Sequence, residues 1–478
     1  MMFRIIKNDL RVLIADRVLY VVGLFSLGLI AWGLWNGVQW TSERQRLISD
    51  YERKIESELQ KQREEAIAYE TGAKPMPTST ATPPNALMPT NKAVPATLPP
   101  TPLSIIAVGQ ADINPFATSI NIMTEKHDLF QKYEIDNPLN LMIGRFDLAF
   151  VLVFILPLLI LALSYNLLSA EKENGTLALT LASAGISIRR LGCGKLLARF
   201  ALVLIFIVGF SFIGFALSGI DFRDSNTLAK VGFFILAVAS YVLFWMTLAL
   251  LVNSFGFSSA TNAAILGGVW ILTVVVFPSF LHVAANTLHP LPSRLEFVSK
   301  MREADNQTRS EGERLLKSYY GDHPELLPPG GMSQATAQQR FFAIRQERQR
   351  RMLPEVENFE RQLAAQQLLV SRYQILSPPV VMQEILNDIA GNSTYRYKLY
   401  VNQLREFISE MQAVLVPKLM RHEMLKSSDY DAIPRFHFRE EEFSSVAFRL
   451  TKGILLLLIP TVLILVTAFL QLRKFSPI

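Results

Sequence analysis

A chain of 478 residues that is 50% hydrophobic and only 18% charged, with a mean hydropathy of +0.26, is not composed as a wholly water-soluble protein. Its net charge of +6 is largely topological, as the placement of Lys and Arg below shows, and gives no reason to expect nucleic-acid binding. A single cysteine, Cys193, excludes a disulfide framework, so any region outside a membrane must be held by ordinary packing.

The apolar residues gather into six uninterrupted runs, at 18–37, 148–168, 200–220, 231–252, 259–281 and 453–470, and none contains Lys, Arg, Asp or Glu. About 20 residues suffice to cross a hydrocarbon core. A charge at its centre costs at least ~2.5 kcal/mol, so the absence of charge from all six is informative. The fifth run is the weakest, being small and polar at its start with Pro278 near its end.

In chain order, residues 1–17 predict an amphipathic helix at the cytoplasmic face, and 18–40 the first span. Arg4, Lys7, Arg11 and Arg17 flank that span as they would a secretory signal. Its apolar core is too long for one, however, and residues 36–41 offer no small-x-small cleavage site, so it reads as a retained anchor. Residues 41–145 form a first outside segment. It opens with a charged helix to Ala68 bearing a stripe of Leu47, Ile48, Tyr51, Ile55 and Leu59, which continues the first span. The Pro/Thr/Ala-rich stretch 74–102 then predicts an extended or disordered linker, with order resuming near Leu103.

Residues 146–281 hold spans two to five, with cytoplasmic loops at 169–199 and 253–262. Residues 282–448 form a second outside domain with helical patterns at 294–320, 334–373 and 395–425 and few strands. Residues 449–478 are the last span and a cytoplasmic tail. Lys172, Arg189, Arg190, Lys195, Arg199, Arg473 and Lys474 gather on the side of the N-terminus, against only Arg223 and Lys230 in the short loop 218–230. Both termini are therefore expected in the cytoplasm of a bacterial inner membrane. The fold class is an all-α membrane protein: six transmembrane helices with a large, mainly helical periplasmic domain.

The loop after the second span carries the most specific pattern. Glu171 and Glu173 make an acidic turn, Gly175-Thr176 opens a short apolar helix, and Arg189-Arg190 precedes Gly194-Lys195 at the next span. Glu173-Asn174-Gly175-Thr176 and Gly194-Lys195 resemble the E-x-G-T and G-K elements of the ABC-2 family of permeases. That resemblance implies a first coupling helix seated in a cleft of a separate ATPase, which would bind the ATP and Mg. It also implies a second coupling loop around Asn253, Ser254, Ser258 and Ser259, and pairing with a second permease copy or a paralogue. The bland alternative is an amphipathic loop anchored by positive charge. A further likeness, through Arg372–Pro378, 386–391, Tyr395-Arg396-Tyr397 and Gln403, is to an uncharacterised domain inserted before the last span in a bacterial subset of these permeases, related to gliding-motility and copper-enzyme maturation systems.

The function so implied is an ATP-driven exporter subunit with no nucleotide site, cofactor or catalytic residue of its own. The rival is a mechanotransmission subunit that drives a periplasmic partner protein and transports nothing. Gly192-Cys193-Gly194-Lys195 lacks the Ser/Thr and the preceding strand of a phosphate loop. The six histidines, at 127, 282, 289, 323, 422 and 437, show no metal-ligand spacing, and Arg340, Arg345, Arg348, Arg350 and Arg351 read as a solvated helix face. Pro157, Pro278 and Pro460 should kink or end their helices, while Gly33-x-x-x-Gly37 and Gly267-Gly268 permit close contacts.

Overall fold

The computed structural model describes residues 2–15, 17–76, 84–112, 114–125, 145–327, 331, 336–421 and 423–475. Six helices in it are long and apolar enough to cross a membrane. After α1 (Met2–Ala15), α2 runs unbroken over Arg17–Glu70. At roughly 1.5 Å per residue its 54 residues reach about 80 Å, well beyond a bilayer. No Gly or Pro interrupts the charged half, and its buried Ile48, Leu59 and Ala66 pack on the domain outside the spans, whereas Leu47 of the expected stripe is exposed.

The second span, α3, covers 148–164 as Leu148–Phe150, a π turn at Val151–Ile155 and Leu156–Ser164. Two short helices follow, α4 (Ser169–Glu173) and α5 (Leu177–Ala184), then the spans α6 (Ile188–Leu217) and α7 (Ser225–Asn253). The fifth span, α8, covers Ser259–Leu288 with a second π turn at Leu272–Val276. Outside the spans lie α9 (Arg294–Ser310), α10 (Gly312–Asp322), α11 (Ala337–Tyr373), α12 (Pro378–Ala390) and α13 (Thr394–Met420), before the last span α14 (Phe443–Leu472). Central in the bundle is α7, packed on α3, α6 and α14, with Tyr241 and Trp245 fully buried.

Both π turns precede a proline, Pro157 and Pro278. A proline in a helix brings no N–H and leaves a carbonyl about one turn back without a donor. Side chains supply what is missing: Tyr241 Oη donates to Val153 O at 2.8 Å, Trp270 Nε1 to Phe154 O at 3.2 Å and Ser377 Oγ to Thr273 O at 2.8 Å.

The stretch expected to be a linker is built into the domain instead, although residues 77–83 lie outside the described residues. Single turns at Asn85–Leu87 and Pro89–Asn91 lead into β1 (Val94–Thr97), every residue of which is buried and which pairs antiparallel with β2 (Ala117–Ile120), Val94 opposite Ile120. The compositional argument holds for a segment burying its own surface. This one buries Ala86, Leu87, Val94 and Ala96 in a core that α2, α10 and α13 supply. Its carbonyls find donors there too: Tyr400 Oη reaches Ala96 O at 2.9 Å and Arg396 Nη2 reaches Pro99 O at 2.8 Å. Pro95 is tolerated because both strands of a two-stranded pair are edges.

Gly33 and Gly37 admit backbone rather than a partner helix. A Cβ at Gly37 would stand 2.1 Å from Ile105 O, and one at Gly33 2.9 Å from Asp147 O. The arginines of α11 are not simply a solvated face: Arg345 and Arg348 converge on the buried Glu125, Arg348 also reaches Asp305 at 2.9 Å, and Arg351 reaches Glu311 at 2.9 Å.

Candidate functional site

At the end of the bundle shared with α1, the two inter-span loops form one body. Asn253 closes α7 and is 1% exposed. Its Oδ1 accepts from Leu168 N at 3.0 Å and Ser169 N at 3.4 Å, while its Nδ2 donates to Tyr165 O at 3.0 Å, Ser164 O at 3.3 Å and Ala249 O at 2.9 Å. One amide thus satisfies the backbone where α3 ends, on a helix 85 residues further along. Asn262 Nδ2, one turn into α8, donates to the same Oδ1 at 3.3 Å.

Glu173 completes the joint from the other loop. Its carboxylate accepts from Ser259 N at 2.6 Å and Ser259 Oγ at 2.8 Å, so a residue of α4 caps the first turn of α8. An anion there is favoured by the unpaired N–H groups and by the helix dipole. Ser258, the residue before, caps the same helix through Thr261 N. Ser169 and Ser259 hydroxyls meet at 2.9 Å, and Lys172 Nζ reaches Gly256 O at 3.4 Å.

The remaining expected residues divide by environment. Gly175 (φ +69°) turns the chain between α4 and α5, and Thr176 N closes on Glu171 O at 2.9 Å. Arg189 and Arg190 are exposed in the first turn of α6. Gly194 and Lys195 face inward: a Cβ at Gly194 would meet Ile5 of α1 at 2.6 Å, and Lys195 Nζ pairs with Glu171 at 2.8 Å and donates to Leu167 O at 3.0 Å. The Gly192–Lys195 run is a helical stretch of α6. Ser254 is buried and turns its hydroxyl back on Leu251 O at 2.6 Å, a local cap rather than part of the joint.

Three features went unseen in the sequence. Leu179 of α5 is 70% exposed, and the rings of Phe255 and Phe257 stack at 5.8 Å, half exposed, on the second loop. Each of the two loops thereby exposes apolar side chains. Arg199 pairs with Asp9 of α1 at 3.3 Å, both charges buried.

The third lies at the opposite end of the bundle. Helix α12 begins with Pro378-Pro379, which fits a first turn whose N–H groups have no helical partner, and ends at Gly391 in the left-handed conformation. Sequence places it within the domain, but Val381, Met382, Ile385, Leu386 and Ile389 are buried in the core of the spans. It packs on α7, on α14 and on both π turns. Glu384 stands on the exposed side of α12, where partial desolvation and the nearby Asp388 raise its carboxyl above the usual carboxylate range, up to about 7, against the opposing charge of Lys452.

The family model described as a domain of unknown function (DUF3526) matches residues 294–439, from the first residue of α9 to just before α14. No match was found among curated proteins or among solved structures. The match covers the α9–α13 part of the domain outside the spans, α12 with it, and not the segment 84–125. The chain is similar to that family there, and it is a multi-pass, all-α membrane protein by its six apolar helices.

Proposed function

We propose that this chain is the membrane subunit of an ABC-2 type, ATP-driven exporter. In this reading it pairs with a second copy or a paralogue and is driven by a separate ATPase subunit that binds ATP and Mg. The membrane is the bacterial inner membrane, with both termini and the fused loops in the cytoplasm. The observation that supports it is the joint of Glu173 with Ser259 and of Asn253 with Leu168 and Ser169. Two loops locked in this way move as one platform, and the apolar Leu179, Phe255 and Phe257 give a soluble partner a surface to grip. A photo-crosslinking residue at position 179, in the native host, should capture a soluble protein carrying G-x-x-x-x-G-K-[ST]. Adducts to membrane proteins alone would sink the reading. Glu173→Arg should leave insertion intact while abolishing ATP-dependent function.

A second reading, force transmission to a periplasmic partner without transport, draws on the seat of α12. Two of the four spans that border the platform, α3 and α8, are also the two whose π turns touch this helix of the domain. Purified subunit and ATPase in vesicles, with the partner's response and release of candidate substrates measured side by side, separate the two readings.

A further inference from the structure

Between α1, the end of α3 and the start of α6 lies a cleft of about 790 Å3. Its charged lining is largely internal: Lys195 and Arg199 are each 7% exposed, and Asp9 5%. Asp9 and Glu171 pair with Arg199 and Lys195, while Arg4 lines the same cleft from the exposed side of α1. Three cations against two carboxylates leave one positive charge in excess.

The cleft does not end at its polar floor. Leu19 and Leu163 line it and also line a shallow groove between α2, α3 and α6, with only about 30 Å3 of space of its own, that holds no charged residue. Gly23, Leu159, Phe206 and Phe210 shape this groove, and Ser26 turns its hydroxyl back on Val22 O at 2.6 Å, offering it no donor. A Cβ at Gly23 would meet nothing within 4 Å, so the space there is free. Phe206, 37% exposed, marks the side on which the groove opens to the surroundings of the bundle.

We propose that cleft and groove together bind one anionic phospholipid, its phosphodiester at Arg4 and an acyl chain laid across the open face of the groove. A charged recess continuous with a charge-free one matches an amphiphile, and the single excess cation matches a headgroup of one negative charge. A zwitterionic headgroup leaves that cation uncompensated, and a soluble phosphodiester leaves the groove unfilled. The inference requires the six helices to lie in a bilayer and is independent of the ATPase reading.

The test is native mass spectrometry of the full-length chain. Its probes are palmitoyl-oleoyl phosphatidylglycerol, the phosphatidylcholine of the same chains, and glycerophosphoglycerol as the free headgroup. One phosphatidylglycerol is expected per chain, preferred about fivefold over phosphatidylcholine, the discrimination one cation near a headgroup provides. Arg4→Glu should erase the preference, and Gly23→Leu should weaken both lipids by filling the groove. If Gly23→Leu lowers the thermal midpoint, Ser26→Leu, nearly one turn along the same groove, carries the same expectation. Equal retention of both lipids, or unchanged retention in the variants, would overturn the proposal. Displacement by glycerophosphoglycerol at the lipid's own concentration would reduce the site to one for a free anion, and overturn it equally.

Discussion

Arg396 is the place to ask whether residues 84–102 are structure or tether. Its guanidinium donates from Nε to Glu440 at 2.8 Å, from Nη1 to Gly391 O at 3.1 Å and from Nη2 to Pro99 O at 2.8 Å, above the Phe438 ring. Arg396→Met keeps much of the packing stem and removes every donor. Gly391 O then loses that donor in a buried setting, at roughly 1–3 kcal/mol, while Pro99 O, on an exposed residue, can rehydrate and costs less. The Glu440 pair adds little, because that carboxylate is 55% exposed and rehydrates. About 1–3 kcal/mol in all, at about 2–4 °C per kcal/mol for a domain of this size, lowers the midpoint of the domain's unfolding by roughly 2–12 °C. Thermal scanning of the detergent-purified chain measures that. Trypsin supplies a local readout, since Lys92 is the only Lys or Arg between 84 and 102 and is fully buried. The native chain should resist cleavage after Lys92, and the variant should be cut there. Ready cleavage of the native chain at Lys92, or a midpoint shift below about 1 °C, would refute the built-in segment.

Deleting residues 78–95 removes the two turns and the first residues of β1, so the domain should lose its midpoint by thermal scanning, and an equally long Gly/Ser replacement should not restore it. Asn253→Leu strands the N–H groups of Leu168 and Ser169 in the bundle. It should cost about 3–5 kcal/mol, read as a lost monodisperse peak in size-exclusion chromatography. Glu384 binds its proton more tightly folded than unfolded, so its contribution to stability is whole below pH ~4.5 and is lost as pH rises through about 7, and because the residue is exposed, solvent screening keeps that contribution small. Glu384→Gln should therefore flatten the fall of the thermal midpoint between pH 5 and 8.

What the sequence shows and what it hides follow from the range of the interactions. The spans are legible because each is a local run of apolar residues, and α2 continues to Glu70 because nothing between 38 and 70 breaks a helix. Glu173 and Asn253 sit in segments marked for coupling, but their partnership with Ser259 and Leu168 joins residues some 85 positions apart, which no local pattern encodes. Pro157 and Pro278 announce a disturbed helix, yet the hydroxyl and indole groups that repair it come from α7, α8 and the start of α12. Residues 84–102 mislead for the same reason, since their burial depends on surfaces contributed by α2 and α13. Helix α12 has a legible apolar face, but its spacing does not say whose core that face enters.

Those distant partners define how motion would cross the molecule. A π turn carries an extra residue and a carbonyl served by a side chain, so a helix can change register there without opening a buried backbone bond. Both such turns stand against α12, one on α3 and one on α8, and the opposite ends of those same spans are tied by Asn253 and by Glu173 with Ser259. A displacement of the tied end is therefore received by α12 from two sides at once. Gln374–Leu376 joins α12 directly to α11, whose 37 residues extend roughly 55 Å. A rotation of α12 by a few degrees becomes a movement of several ångströms at the far end of α11, where Arg345 and Arg348 hold Glu125. Under either proposed reading this geometry would make the domain a lever on the spans. The same lever would serve a stroke that opens a path between two subunits, as first proposed, or one that acts on a protein outside the membrane, and either use would give a domain with a core of its own reason to place one helix in the bundle.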